Sequence, residues 1–342
     1  MLARAPNGEQ VLALDRGNLR LVNVRNASSA WQTPLPSWNE YSRCNAFFSP
    51  RGDYFVLGEE HLVGDTKKLY SVWQTASGHR VSANFEHAFA SATLDWGIAV
   101  SDDGRWFATN RVRESTDLTV FDLGTQAATV LAVHGAADPA RFSADSKLLF
   151  VRDEVFALTD EGWKSAARFP GAVDAVWAGQ RLAVATPGGV DIWERSGVVH
   201  VDYPFAFSQN QNKDPKTNVF LRASERFLAI CERAEDPSLL VYDLDRHAQA
   251  FARRGLGTIG DVTFRDNRPV VLAFRNDFNT FVLMLDPTNG NVVREKSFGA
   301  YGSGGPPVSP HNFAFSPRLL PGGRFIELQY ADSLASRFES LD

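Results

Sequence analysis

The side chains that could do chemistry are scattered. Seven histidines (His61, His79, His87, His134, His200, His247, His311) form no i, i+4 pair, no His-Glu-x-x-His and no spacing with cysteine, so no metal-ligand motif is present. There is no Gly-x-Ser-x-Gly elbow. Gly302-Ser303-Gly304-Gly305 runs into two prolines, without the preceding strand and following helix that a phosphate cradle needs. Asp102-Asp103-Gly104 gathers two carboxylates beside a glycine but is too short for a calcium loop. It reads, with Asp122, Asp243 and Asp286, as turn chemistry, in which a short acceptor bonds nearby backbone N–H groups. No catalytic residue, metal or cofactor is implied.

Those aspartates recur because the segments that hold them recur. Residues 96–125 carry an apolar strand (Ile98, Val100), a Ser-Asp-Asp-Gly turn, a second strand from Trp106, a polar loop, and a third strand ending Phe121-Asp122. Similar units begin near Leu2, Ala46, Ile98, Ala140, Ala175, Phe220, Val262 and Phe313, spaced by 35 to 52 residues. Third strands end alike, as in Trp73-Gln74, Trp193-Glu194 and Tyr242-Asp243, and turns such as Thr75-Ala76-Ser77-Gly78 and Pro287-Thr288-Asn289-Gly290 follow at once. Short fourth strands come next.

Four short strands per unit, at blade-length periodicity and without helical patterning, predict an all-β fold: a β-propeller of four-stranded antiparallel blades. Eight units are counted, the last with only a weak third strand in residues 336–341, so seven blades is the alternative. The whole of residues 1–342 is expected to form one domain, because a lone four-stranded sheet cannot cover both its faces and must stack on neighbours until the ring closes. The chain resembles the WD40-like propellers in its Ser49-Pro50-Arg51-Gly52, Ser101-Asp102-Asp103-Gly104 and Ser316-Pro317 turns and in its Phe-Asp, Tyr-Asp and Trp-Glu strand ends. It departs from the strict repeat: Gly78-His79 follows a third strand rather than preceding a first, and Trp-Asp does not occur. The resemblance implies a rigid interaction platform.

Composition agrees with a large apolar interior, with 25 Phe and 8 Trp against 2 Met. A net charge of −5, with basic residues dispersed, disfavours nucleic acid. No apolar run is long enough to span a membrane, and the first residues lack a signal-peptide core. The expectation is a soluble, cytoplasmic protein; a removed signal peptide would make it periplasmic or secreted. Cys44 and Cys231 match no metal spacing and read as unrelated thiols, a disulfide staying open.

In a four-stranded meander the first-to-second and third-to-fourth turns share one end, and the other connections share the opposite end. The first set is short here. The second set holds the length, notably in residues 31–44, 84–96, 203–218 and 299–312. Concentrated length of this kind marks a binding face. The candidate binding residues on it are Trp38, Tyr41, His61, Phe89, Arg111, Tyr203, Phe205, Arg275, Tyr301 and His311, the aromatics as anchors for a protein partner or a flanking domain. The rival reading is a hydrolase-, lactonase- or lyase-like propeller enzyme, with a small-molecule site assembled from loop groups such as Glu59, His61, Arg111, Glu232, Arg275 and His311.

Overall fold

The computed structural model describes residues 2–35, 42–61, 67–82, 85–88, 97–110, 117–133, 140–194, 196–203, 219–232, 237–274, 279–300, 315–330 and 336–342. They form eight antiparallel sheets in chain order, the blades of a β-propeller. Blade 1 comprises Ala3–Arg4, Gln10–Asp15, Asn18–Asn23 and Ser29–Pro34. Blade 2 has Ser42–Phe48, Tyr54–His61 and Lys67–Gln74, with its outer position shared by His79–Arg80 and Phe85–Ala88, both paired to the third strand. Blade 3 is Ala99–Val100, Trp106–Asn110, Asp117–Asp122 and Ala128–Ala132. Blade 4 is Ala140–Phe142, Leu148–Val151, Glu154–Thr159 and Gly162–Arg168.

Blade 5 is Asp174–Ala178, Arg181–Thr186, Gly189–Glu194 and Gly197–Asp202. Blade 6 is Val219–Ala223, Phe227–Glu232, Leu239–Asp243 and Ala248–Arg253. Blade 7 is Thr258–Arg265, Arg268–Phe274, Asn279–Leu285 and Val292–Ala300. Blade 8 has three described strands, Phe315–Leu319, Phe325–Tyr330 and Ser336–Ser340. All eight units read from the sequence are therefore blades. The chain divides into two compact units, Met1–Pro170 with blades 1–4 and Gly171–Asp342 with blades 5–8.

Within each unit, consecutive residues of a second strand serve different neighbours, because side chains alternate across a strand. Phe55 and Leu57 face the core shared with blade 1, whereas Val56 between them faces the one shared with blade 3. Trp106 and Ala108 turn to blade 4 and Phe107 to blade 2. In the second unit, Leu228 and Ile230 join blade 5 while Phe227, Ala229 and Cys231 join blade 7. These strands read as unbroken apolar runs for that reason. Phe55 lies stacked between Trp31 and Trp73 at centroid distances of 6.3 and 6.1 Å. Burying each large side chain of this kind stabilises by about 1.5–3 kcal/mol.

The serine turns are built alike. In blade 3 the Trp106 amide donates to Ser101 Oγ at 2.9 Å, and that hydroxyl donates to Asp103 at 2.5 Å. Blade 4 repeats it, with Leu148 N to Ser143 Oγ at 3.0 Å and Ser143 Oγ to Asp145 at 2.6 Å. Tyr54 N to Ser49 Oγ and Phe227 N to Ser224 Oγ are the equivalents in blades 2 and 6. The acid that closes a third strand has two duties. Asp122 accepts the Gly124 and Thr125 amides on one oxygen and pairs Arg105 at 2.8 Å on the other; Asp243 does the same with Asp245, Arg246 and Arg226. Arg105 is the first reason that the Asp122 carboxyl sits below its ordinary range.

Asp102 departs from the expectation of a purely local turn acceptor. Its side chain is fully buried and accepts the Arg51 amide of blade 2 at 2.8 Å, across 51 residues. The next aspartate's amide, Asp103 N, donates to Ser146 Oγ of blade 4 at 3.2 Å, so one turn is bonded to both its neighbours. Gly104, at φ +67°, leaves room for the ring of Tyr54, from which an added Cβ would lie 2.4 Å. Glu59, expected in a loop, belongs with its neighbour Glu60 to the second strand of blade 2, and both are buried. Glu232 likewise ends the second strand of blade 6.

Burial raises the Asp102 carboxyl above its ordinary value, against the bonds from Ser49 and Arg51. Ionising it therefore costs more in the fold than in the unfolded chain. The stability it contributes is whole below the unfolded-state pKa of about 3.9 and declines as pH rises through the higher folded value. Asp102→Asn keeps an oxygen for the Arg51 amide and cannot ionise. It should match the parent protein in acid and exceed its stability at neutral pH, as read by urea unfolding between about pH 3 and pH 7; equal stability at neutral pH would show that no ionisation penalty exists.

Candidate binding surface

Of the ten candidate binding residues, Trp38, Tyr41, Phe89, Arg111, Phe205, Arg275, Tyr301 and His311 lie outside the described residues. His61 ends the second strand of blade 2, where its backbone pairs with Ser42. Tyr203 directly follows the last strand of blade 5. It is half-buried against that blade's apolar side chains, and its hydroxyl donates to the Thr186 carbonyl at 2.8 Å. Burial, helped by the Asp191 charge, pushes the Tyr203 phenol up to about 12. The ring anchors the chain at the point where residues 204–218 begin. Thr186 closes the second strand of blade 5, so the contact lies at the end of the blade where second-to-third connections emerge.

The opposite end, where the serine turns lie, is also shaped. In the second unit a groove of about 720 Å³ is lined by Gln180, Arg181, Glu194, Glu225, Arg226 and Asp245. Arg181 bridges Glu194 at 3.2 Å and Asp245 at 2.9 Å, and Arg226 pairs with Asp243 at 2.8 Å. Its charges largely satisfy one another. In the first unit a groove of about 560 Å³ is lined by Asn7, Gln10, Arg51, Asp53, Tyr54 and Gln74, with Arg51 paired to Asp53 at 3.3 Å.

One pair of titratable groups belongs to no short sequence motif. Asp191 and His200 face each other across the third and fourth strands of blade 5, with Nδ1 2.6 Å from the carboxylate, and Asp202 lies 3.6 Å from Nε2. The bond to Asp191 raises the imidazole above its ordinary value. Counting outward from the hairpin turn, where Glu194 opposes Gly197, brings 191 opposite 200; that register was the available signal. The ring lies against Gly189, where a Cβ would stand 2.7 Å from Nε2 and 2.6 Å from the Val201 carbonyl oxygen. Among the described residues, no group of three or more His, Cys, Asp or Glu gathers as a metal site. Cys44 is half-buried and Cys231 buried, both as thiols.

No family model matches the sequence, and no curated protein does. Solved structures do match. The C-terminal WD40 domain of Sif2 aligns with a TM-score of 0.57 at 11% identity, over 98% of this chain and 93% of that one. Dihydro-heme d1 dehydrogenase NirN, in complex with DHE, aligns at 0.56 and 14% identity, over 96% of this chain and 70% of its own. The β-propeller domain of Cps50 (Swd1) from Myceliophteria thermophila aligns at 0.50 and 10%, over 89% and 98%. At these identities the likeness establishes the fold, a β-propeller, and leaves function to the chain's own residues.

Tyr203→Phe removes the hydroxyl while keeping the ring. The Thr186 carbonyl loses that donor, and stability should fall by roughly 0.5–1.5 kcal/mol in urea unfolding. An unchanged midpoint would mean that the bond contributes nothing net.

Proposed function

We propose that this propeller is a non-enzymatic binding module that holds a protein partner, or another domain, through the connections at the end of its blades opposite the serine turns. The observation that carries the reading is the unequal division of chain length. First-to-second and third-to-fourth connections are tight turns, bonded internally by Ser101, Ser143, Asp122 and Asp243. The remaining connections hold the length, including residues 204–218 and 301–314, and with it Trp38, Tyr41, Phe205 and Tyr301. Loops that vary on a rigid scaffold are where proteins place recognition, and Trp and Tyr dominate the buried centres of interfaces. Mild acidity with dispersed basic residues favours a protein over a nucleic acid as partner.

A second reading is a propeller enzyme with a small-molecule site. It is favoured by the likeness to NirN, whose structure holds DHE. The two readings separate in one set of measurements. Trp38→Ala, Tyr41→Ala and Phe205→Ala, combined, should abolish capture of the partner recovered by the parent protein from its native host, with the melting temperature nearly unchanged. Tyr203 is left intact there because its ring also supports blade 5. Undiminished capture overturns the interaction reading. A saturable absorbance change on titration with haem, without any captured protein, transfers the assignment to the small-molecule reading.

A further inference from the structure

The Asp191–His200 pair lies where one of the long connections begins. The third and fourth strands of blade 5 pair without a bulge from Glu194↔Gly197, beside the turn, to Gly189↔Asp202 at the open end. Asp191, His200 and Asp202 occupy that open end, and Tyr203 and then residues 204–218 follow at once. Imidazole Nδ1 is 2.6 Å from Asp191 on the third strand, and Nε2 is 3.6 Å from Asp202 on its own strand. Among the described residues these two carboxylates are the charges that act on the ring, and the Asp191 charge also reaches the Tyr203 phenol.

Only the protonated imidazole can serve both carboxylates. A neutral ring carries a single N–H. With that hydrogen on Nδ1 and donated to Asp191, the Nε2 lone pair faces the Asp202 carboxylate. Deprotonation therefore loses one attraction and leaves two carboxylates beside one uncharged ring. The ring also has a close-fitting seat. A Cβ at Gly189 would stand 2.7 Å from Nε2 and 2.6 Å from the Val201 carbonyl oxygen, although Gly189 is not among the residues at positive φ. Glycine is needed there for the close approach of the outer strand and its imidazole, not for a turn.

We propose that Asp191, His200 and Asp202 form a pH-sensitive latch across the open end of the blade 5 hairpin, closed when the imidazole is protonated, which sets how firmly the root of residues 204–218 is held. The bond to Asp191 raises the imidazole above its ordinary value. The stability it contributes is therefore whole below the unfolded-state pKa of about 6.5 and is lost as pH rises through the higher folded value. Each unit of that elevation changes the balance between closed and open ends about tenfold. His200 and Asp202 are exposed, so added salt weakens the latch. The latch itself stands on blade 5 alone, whereas its influence on a partner rests on the reading of residues 204–218 as part of the binding surface.

Proton NMR of the full chain measures the imidazole pKa, with the His200 signal assigned by its absence in His200→Gln. The expected value lies above about 6.5; Asp191→Asn lowers it, and Asp202→Asn lowers it by less. Hydrogen-exchange protection of residues 198–203, corrected for the intrinsic rate, should fall several-fold from about pH 5.5 to about pH 8.5. It should stay level in His200→Gln, as should residues 248–253 of blade 6 in both proteins. A His200 pKa at or below the ordinary value, or an equal fall of protection in His200→Gln, overturns the latch. Asp202 is 94% exposed, so Asp202→Asn keeps the fold and decides the matter, by a smaller fall, even where His200→Gln does not fold. Capture of the partner recovered from the native host should weaken over the same pH range in the parent protein alone. Level capture beside falling protection overturns the influence on the partner. Undiminished capture by the combined Trp38, Tyr41 and Phe205 variant instead overturns the binding reading, while the NMR and exchange results still decide the latch.

Discussion

A four-stranded antiparallel sheet of this size has two apolar faces and can cover neither alone, and most of the structure within each unit follows from that. The second and third strands must supply side chains to two cores at once. Phe55, Val56 and Leu57 alternate between the cores of blades 1–2 and 2–3, and Phe227 through Cys231 between those of blades 5–6 and 6–7. Such strands leave little place for a polar side chain unless it is itself bonded. Chemistry is thereby displaced to the ends of the blades and to their outer edges.

At one end, the displaced polar groups hold the frame. The serine hydroxyls and the acids closing third strands satisfy amides that turns would leave unpaired, and an unpaired buried amide costs about 1–3 kcal/mol. Asp102 extends the device between blades by accepting an amide from blade 2; away from the serine turns, in the second unit, Asp174 accepts the Leu221 amide at 2.8 Å and Asp261 receives Arg222 at 3.0 Å. Stacked blades could slide on apolar contact alone, because dispersion and burial have no direction. These directional bonds fix the register of one blade on the next.

The repeat was legible in the sequence because its signals are local. Ser-x-Asp turns, glycines at positive φ and apolar runs lie within a dozen residues of each other, and all eight units were found from them. Blade 2 was misread at its second strand because Glu59 and Glu60 broke the apolar run, although both are buried. Contacts set by the stacking or by strand register were not legible. The Asp102 bond to Arg51 spans 51 residues, and Asp191 meets His200 only through the hairpin register. Tyr203 was read as a partner anchor from its type; its bond to Thr186 gives it a structural duty besides. For the other anchors, residue type and placement in long connections are the whole basis of the reading.

The two ends of the blades differ in what they can offer a ligand. On the serine-turn end the guanidiniums of Arg105, Arg181 and Arg226 are each engaged with a carboxylate at 2.8–3.2 Å. A charged ligand there would have to displace a bond already made, and the exposed partners of such pairs gain little from the exchange in water. At the other end of blade 5 the firm contact is of a different kind: Tyr203 lies half-buried against apolar side chains and its uncharged hydroxyl donates to the Thr186 carbonyl at 2.8 Å. A neutral contact of that sort holds no charge that a ligand would have to displace, and it fixes the point at which residues 204–218 leave the blade.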